Sequence, residues 1–136
     1  MRMISTLTTA AALSLALAYP VSAKAALRDV PEIDDNMLWV AMAIEISDKC
    51  DDIKPRTLRG LLFLNRLKDR AKAMGYSEEE ITAYVKSKDE KARMRERGEA
   101  YMKSKGLDPA DIGDLCTLGH AEIANSSQIG VLLKAK

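Results

Sequence analysis

Histidine occurs once in this 136-residue chain, cysteine twice and proline four times, and aromatic residues make up only 4% of it. Each scarcity removes options. A lone histidine leaves no room for H-E-x-x-H, and neither C-x-x-C nor C-x-x-C-H is present, so zinc-protease, thioredoxin-like and c-type haem sites lack their motifs. No glycine-rich phosphate loop occurs, and no basic–aromatic interleaving of the kind that stacks single-stranded nucleic acid. So few aromatics argue against a sandwich or barrel of aromatic strands. No repeat or low-complexity tract interrupts the main part of the chain. No cofactor or metal is expected.

What is there is helix-forming: Ala, Leu, Met, Lys, Arg and Glu dominate, with 47% hydrophobic and 30% charged residues, an ordinary globular balance. The first stretch stands apart. Arg2 is the only charge before Lys24, Ala10–Ala18 is an apolar run, Tyr19-Pro20 breaks it, and small residues follow at Ala23 and Ala25. That is the pattern of a cleaved secretory leader, with cutting after Ala23 or Ala25, and the run is too short for the ~20 residues of a spanning helix. We therefore divide the chain into a signal peptide (1–25) and one helical domain (26–136), periplasmic or secreted, with no transmembrane anchor after cleavage. Arg2 and Lys24 are two of the 21 basic residues and leave with the leader, so the formal charge falls from +1 to −1. A near-neutral domain is not a general nucleic-acid binder.

An even pair of cysteines in an oxidising compartment points to a disulfide, Cys50–Cys116. Closing a loop of roughly 65 residues contributes about 4 kcal/mol in the chain-entropy account.

The fold expected is all-α, a single small domain of five to six short-to-medium helices. Ala26–Ile33 reads as an extended lead-in, with Asp34 and Asp35 as N-caps of a helix over Asn36–Lys49 whose centre is apolar on every face. Pro55 suits the first turn of a second helix to Met74, with Leu58, Leu61, Leu62, Leu64 and Leu67 inward and Gly75-Tyr76 closing it. Ser77-Glu78-Glu79-Glu80 and Ser87-Lys88-Asp89-Glu90 are capping boxes for a short third and a charged fourth helix. Gly106-Leu107 closes the fourth helix in the same glycine pattern. Asp108-Pro109 reads as the start of a fifth, interrupted near Gly113-Asp114, and Gln128–Lys136 as a last short helix. No segment shows sustained strand alternation.

Three side chains invite chemistry. Glu45 is the one charge within the most apolar helix. An unpaired buried carboxylate is expensive, so Glu45 either faces a cleft or pairs with a base, Arg59 or Arg66 being the natural partner; a structural ion pair or a helix face open to water outweighs a catalytic acid here. His120 has Glu122 at i+2, a poor metal geometry on a helix, and no nucleophile elbow surrounds it. Asn65 sits between apolar helix positions and suits packing more than ligand contact. Charge is segregated more clearly than chemistry: residues 55–76 carry six basic groups and one acidic, and residues 86–105 eight and four. A ridge of Lys86, Lys88, Lys91, Arg93, Arg95 and Arg97 is a candidate partner surface, although Glu90, Glu96 and Glu99 stand at pairing distance along the same helix.

The order of these pieces resembles a small family of exported alphaproteobacterial proteins described only as a domain of unknown function. The residues that carry the resemblance are Arg28–Asp34, Leu61–Arg70, Gly75-Tyr76-Ser77, Glu90–Arg95, Asp108-Pro109 and Ser127–Gly130, together with both cysteines. It implies an exported helical domain and brings no catalytic residue.

The leading expectation is a non-enzymatic periplasmic binding or accessory module whose partner is another periplasmic protein or an anionic envelope component. Two rivals are an acid-stress chaperone and a small enzyme using Glu45 or His120. Oligomeric state is not written in the sequence.

Overall fold

The computed structural model describes residues 23–136; the segment read from sequence as a signal peptide, 1–25, falls almost wholly outside the described residues. A 3-10 turn at Leu27–Asp29 leads into α1, Pro31–Lys49, followed by β1 (Ile53–Pro55), α2 (Thr57–Ala73), α3 (Glu78–Lys86), α4 (Lys88–Ser104) and α5 (Ile112–Ala124). A second 3-10 turn, Gly130–Leu132, delivers the chain to β2, Leu133–Ala135. The domain is helical as expected, with five α-helices. Among the described residues no helix is long and apolar enough to cross a membrane.

Helix α1 begins five residues earlier than the sequence suggested. Val30 is extended, and Pro31 takes the first helical turn, where its missing N–H costs nothing. Asp34 and Asp35 are thus inside the helix, not its caps. Their acidic character still favours the N-terminal turn, but their carboxylates reach sideways to α4.

The main core forms where α1, α5 and the β1–β2 ribbon meet. Ile46, Ile53, Leu118, Ile129 and Leu133 are fully buried there. α5 lies hard against α1 because position 119 is glycine: a Cβ there would stand 2.6 Å from Ile53 and 2.7 Å from Ile46. The disulfide Cys50–Cys116 joins the end of α1 to the middle of α5. A smaller core of Leu27, Ile33, Ala71, Tyr76 and Ile81 ties α2 and α3 to the N-terminal turn.

The C-terminal segment is not a helix. Leu133 pairs with Pro55 and Ala135 with Ile53 in a two-stranded antiparallel ribbon, and Arg56 N donates to Leu132 O at 2.8 Å. Burying Leu133 in a short ladder satisfies its backbone and its side chain together. β1 also takes Pro55, which seemed to open α2; that helix starts at Thr57 with Arg56 before it.

Two glycine-closed helix ends match expectation. At the end of α4, Gly106 lies at φ +75° and the Leu107 N–H donates to Met102 O at 3.1 Å. Gly75 lies at φ +93°, and Tyr76 folds back, its N–H donating to Ala71 O at 3.1 Å. Ser77 and Glu80 make the reciprocal capping box of α3. At α4 only half of the box forms: Ser87 Oγ accepts from Glu90 N, but the Glu90 carboxylate is drawn away to Arg28 and Arg93. α5 is capped by Asp111, not Asp108, and runs unbroken through Gly113.

Candidate functional site

The best-connected polar group in the molecule is Asp34, whose side chain is 5% exposed. It accepts from Arg93, from Arg97 Nη1 at 2.5 Å and from Tyr84 Oη at 2.6 Å. Arg97 also bonds Asp35 at 2.6 Å, and Arg93 and Arg28 share Glu90. Burial pushes the Asp34 carboxyl up, but the bonds from Arg93 and Tyr84 and the two guanidinium charges outweigh it and hold the group below the usual carboxylate range. Burial and the same aspartate raise Tyr84, and the bond to Asp34 raises Arg93. All these charges are compensated, so the cluster is a clamp between α1 and α4 and leaves no acid or base free to react.

A second buried acid, Glu122 on α5, accepts from Tyr101 Oη at 2.6 Å. Burial and this bond push the Tyr101 hydroxyl up to about 12. Trp39 meets the Tyr101 ring edge-on at 5.2 Å. His120 lies one turn after Cys116 on α5 and is exposed; its Nε2 is 2.6 Å from Asp52 Oδ2, a bond that lowers the Asp52 carboxyl. Among the described residues no hydroxyl or thiol is hydrogen-bonded to His120, and no group of three metal-ligating side chains assembles.

The apolar surface is more informative. The exposed large hydrophobics fall into two patches. Leu58, Leu61 and Leu62, at 71, 55 and 50% exposure, lie on α2. That helix buries only Ala71, so its leucine face, expected inward, is largely in solvent. Leu58 and Leu62 border an open groove of about 870 Å³ between α2 and the C-terminal segment, floored by Phe63, Val131 and Leu132. Arg56, Arg59, Arg66 and Lys134 line it. Arg56 and Arg59 donate to the carbonyls of Leu133 and Val131, and Arg66 lies over Phe63; among the described residues none of these cations meets a carboxylate.

The second patch, Ile44, Val85 and Ile112, rims a more enclosed cleft of about 580 Å³ between α1, α4 and the start of α5. Met37, Met42, Met94, Met102 and Leu115 line it.

The residues singled out from sequence are scattered over these features. Glu45 is exposed at the cleft and paired with Lys49, one turn along its own helix, not with Arg59 or Arg66. Asn65 is exposed on α2 rather than packed, and neither Asn65 nor His120 lines either opening. The α4 ridge divides: Arg93 and Arg97 turn inward to the clamp, while Lys86, Lys88, Lys91 and Arg95 are exposed. Asp34 and Glu122 were not singled out. Their signal was present: an acid within an apolar helical stretch needs a partner, and arginines at Arg93 and Arg97 recur at helical spacing.

The model of a family of unknown function, DUF5333, matches residues 25–134. No curated protein and no solved structure matches the chain.

Proposed function

The chain belongs to that family of unknown function, which carries no activity with it, and from this premise we propose that it is an exported binding module whose α2 groove takes an acidic amphipathic helix of another envelope protein. Export is argued from the leader-like first 25 residues and the cysteine pair. The observation that carries the binding reading is α2 itself. It leaves three leucines in water beside four cations without carboxylate partners among the described residues, whereas Arg28, Lys68, Arg70, Lys72, Arg93 and Arg97 all have them. Exposed apolar surface rimmed by charge marks an interaction site. The groove is concave, which suits a helix better than a flat bilayer. A symmetric contact between two copies would set the same arginines against each other, so the partner is a different, negatively charged surface.

The enzyme reading draws no support from the site. Glu45 and His120 are exposed, each is held by one neighbour, Lys49 and Asp52, and His120 does not line the cleft that Glu45 borders. The acid-stress chaperone reading would use the same leucines, and differs in requiring acid.

A photo-crosslinker at Leu62, with one at exposed Lys103 on α4 as control, tests the proposal in the native envelope. The expected result is a neutral-pH adduct at Leu62 alone, mapping to an acidic helix with an apolar stripe and lost in Arg59→Glu/Arg66→Glu. An adduct to lipid, to a second copy or to a basic segment overturns it. Adducts only below pH 4, with many proteins, would replace it with the chaperone.

A further inference from the structure

We propose that the methionine-lined cleft between α1, α4 and α5 binds a single acyl chain, with its anionic head at Lys91 and Arg95. The site is separate from the α2 groove and does not depend on the reading given to it.

Four observations meet here. The volume, about 580 Å³, lies within the 300–1,000 Å³ of small-molecule sites. The wall is built from Met37, Met42, Met94 and Met102, unbranched side chains that repack around irregular apolar shapes. Gly98 of α4 keeps one wall bare: a Cβ there would be in ordinary contact with Met42, at 3.6 Å, so the absent side chain is not forced by crowding and its effect is depth. At the mouth, Ile44, Val85 and Ile112 are each about half exposed, an arrangement that is costly in water and useful only when covered.

The polar groups define what enters. Tyr84 reaches the cleft, but its hydroxyl is already committed to Asp34, so the interior offers no free hydrogen-bonding side chain and suits a plain hydrocarbon. α4 divides its cations between two faces. Arg93 and Arg97 are spent in the clamp, while Lys91 and Arg95, one turn apart, line the cleft without a carboxylate partner among the described residues. Of the lining acids, Glu45 is taken by Lys49, Glu90 by Arg28 and Arg93, and Asp111 caps α5; Glu99, one turn past Arg95, also lines the cleft. A carboxylate or phosphate head on a chain of roughly medium length satisfies both halves. A fatty acid and an anionic lysolipid share that chemistry.

The test is displacement of dansyl-undecanoate from the purified protein, with competitors differing in length and head. Saturable one-to-one binding is expected, displaced by dodecanoate, with affinity rising about three- to fourfold per methylene from octanoate to dodecanoate. Lys91→Glu/Arg95→Glu should weaken dodecanoate about tenfold and leave dodecanol unchanged; lysophosphatidylglycerol competing better than dodecanoate would identify a lipid source. Gly98→Leu should fill the cleft and abolish binding. Because a core-facing leucine can disturb folding, Ile112→Asp at the exposed mouth is the companion variant, with circular dichroism on both. No saturable binding, equal displacement by dodecyltrimethylammonium, or loss of binding with Leu62→Asp rather than with the cleft variants would overturn the proposal.

Discussion

Replacing Asp34 by Asn keeps its shape and removes the charge on which α4 is anchored to α1. The carboxylate meets Arg93, Arg97 and Tyr84 at once. Breaking a buried pair by removing one partner costs about 3–5 kcal/mol when the survivor is stranded. Here the survivors are not wholly stranded: Arg93 keeps Glu90, Arg97 keeps Asp35, and their side chains are 24 and 32% exposed. The expected loss is therefore smaller, about 2–3 kcal/mol. Urea unfolding read through Trp39, the single tryptophan and a neighbour of Tyr101, measures it directly. The pH dependence supplies an internal check. Because the folded-state pKa lies below the unfolded value near 3.9, the stabilisation by ionised Asp34 is fully present above that value and is lost as pH falls through the folded pKa. The gap between wild type and Asp34→Asn should then be constant from about pH 5 to 8 and close progressively below about pH 4. A loss under 1 kcal/mol at pH 7, or a gap that widens in acid, would show that Asp34 is not the anchor.

Reduction of Cys50–Cys116, which spans 66 residues, should lower stability by about 4 kcal/mol in the same urea titration without changing the folded far-ultraviolet spectrum. Two glycine-to-alanine changes should have opposite signs: a Cβ at Gly130 would fall 1.8 Å from the Glu122 carbonyl oxygen, so Gly130→Ala costs about 3 kcal/mol or more, whereas Gly98→Ala, in ordinary contact with Met42, gains up to about 1 kcal/mol from helix propensity. Thermal melts of the pair decide it. Arg59→Glu/Arg66→Glu should leave stability within about 0.5 kcal/mol, because neither cation meets a carboxylate among the described residues, while removing the α2 adduct; a large stability loss would make these arginines structural.

Helix existence was legible wherever a local signal settled it. Ser77 with Glu80, Gly75 with Tyr76 and Gly106 with Leu107 each close hydrogen bonds within a few residues, and the elements they bound appear as expected. The errors lie where a distant partner overruled a local preference. Asp34 and Asp35 are good caps in isolation, but Arg93 and Arg97, some sixty positions away, use them as clamp residues and Pro31 takes over the helix start. Leu133 has helix-compatible neighbours, yet its backbone finds Pro55 across the whole chain. Short-range patterns contain no term for either encounter.

The candidate sites were harder to see for a different physical reason. An apolar stripe has the same sequence whether it faces its own core or waits for a partner. Leu58, Leu61 and Leu62 have the spacing of core residues, and only the placement of α2 at the edge, attached through Ala71 and a few partly buried neighbours, leaves them in water. The reverse error arose with charge: the run from Lys86 to Arg97 reads as one basic ridge, but helical geometry sends Arg93 and Arg97 inward and Lys91 and Arg95 to the cleft. What separates a core stripe from a docking stripe, and a clamp arginine from a binding one, is the presence of a partner already within reach. Arginines with carboxylate partners hold this fold together; the cations that have none among the described residues, beside the exposed leucines and along the methionine-lined cleft, are the ones the two proposals assign to an outside partner.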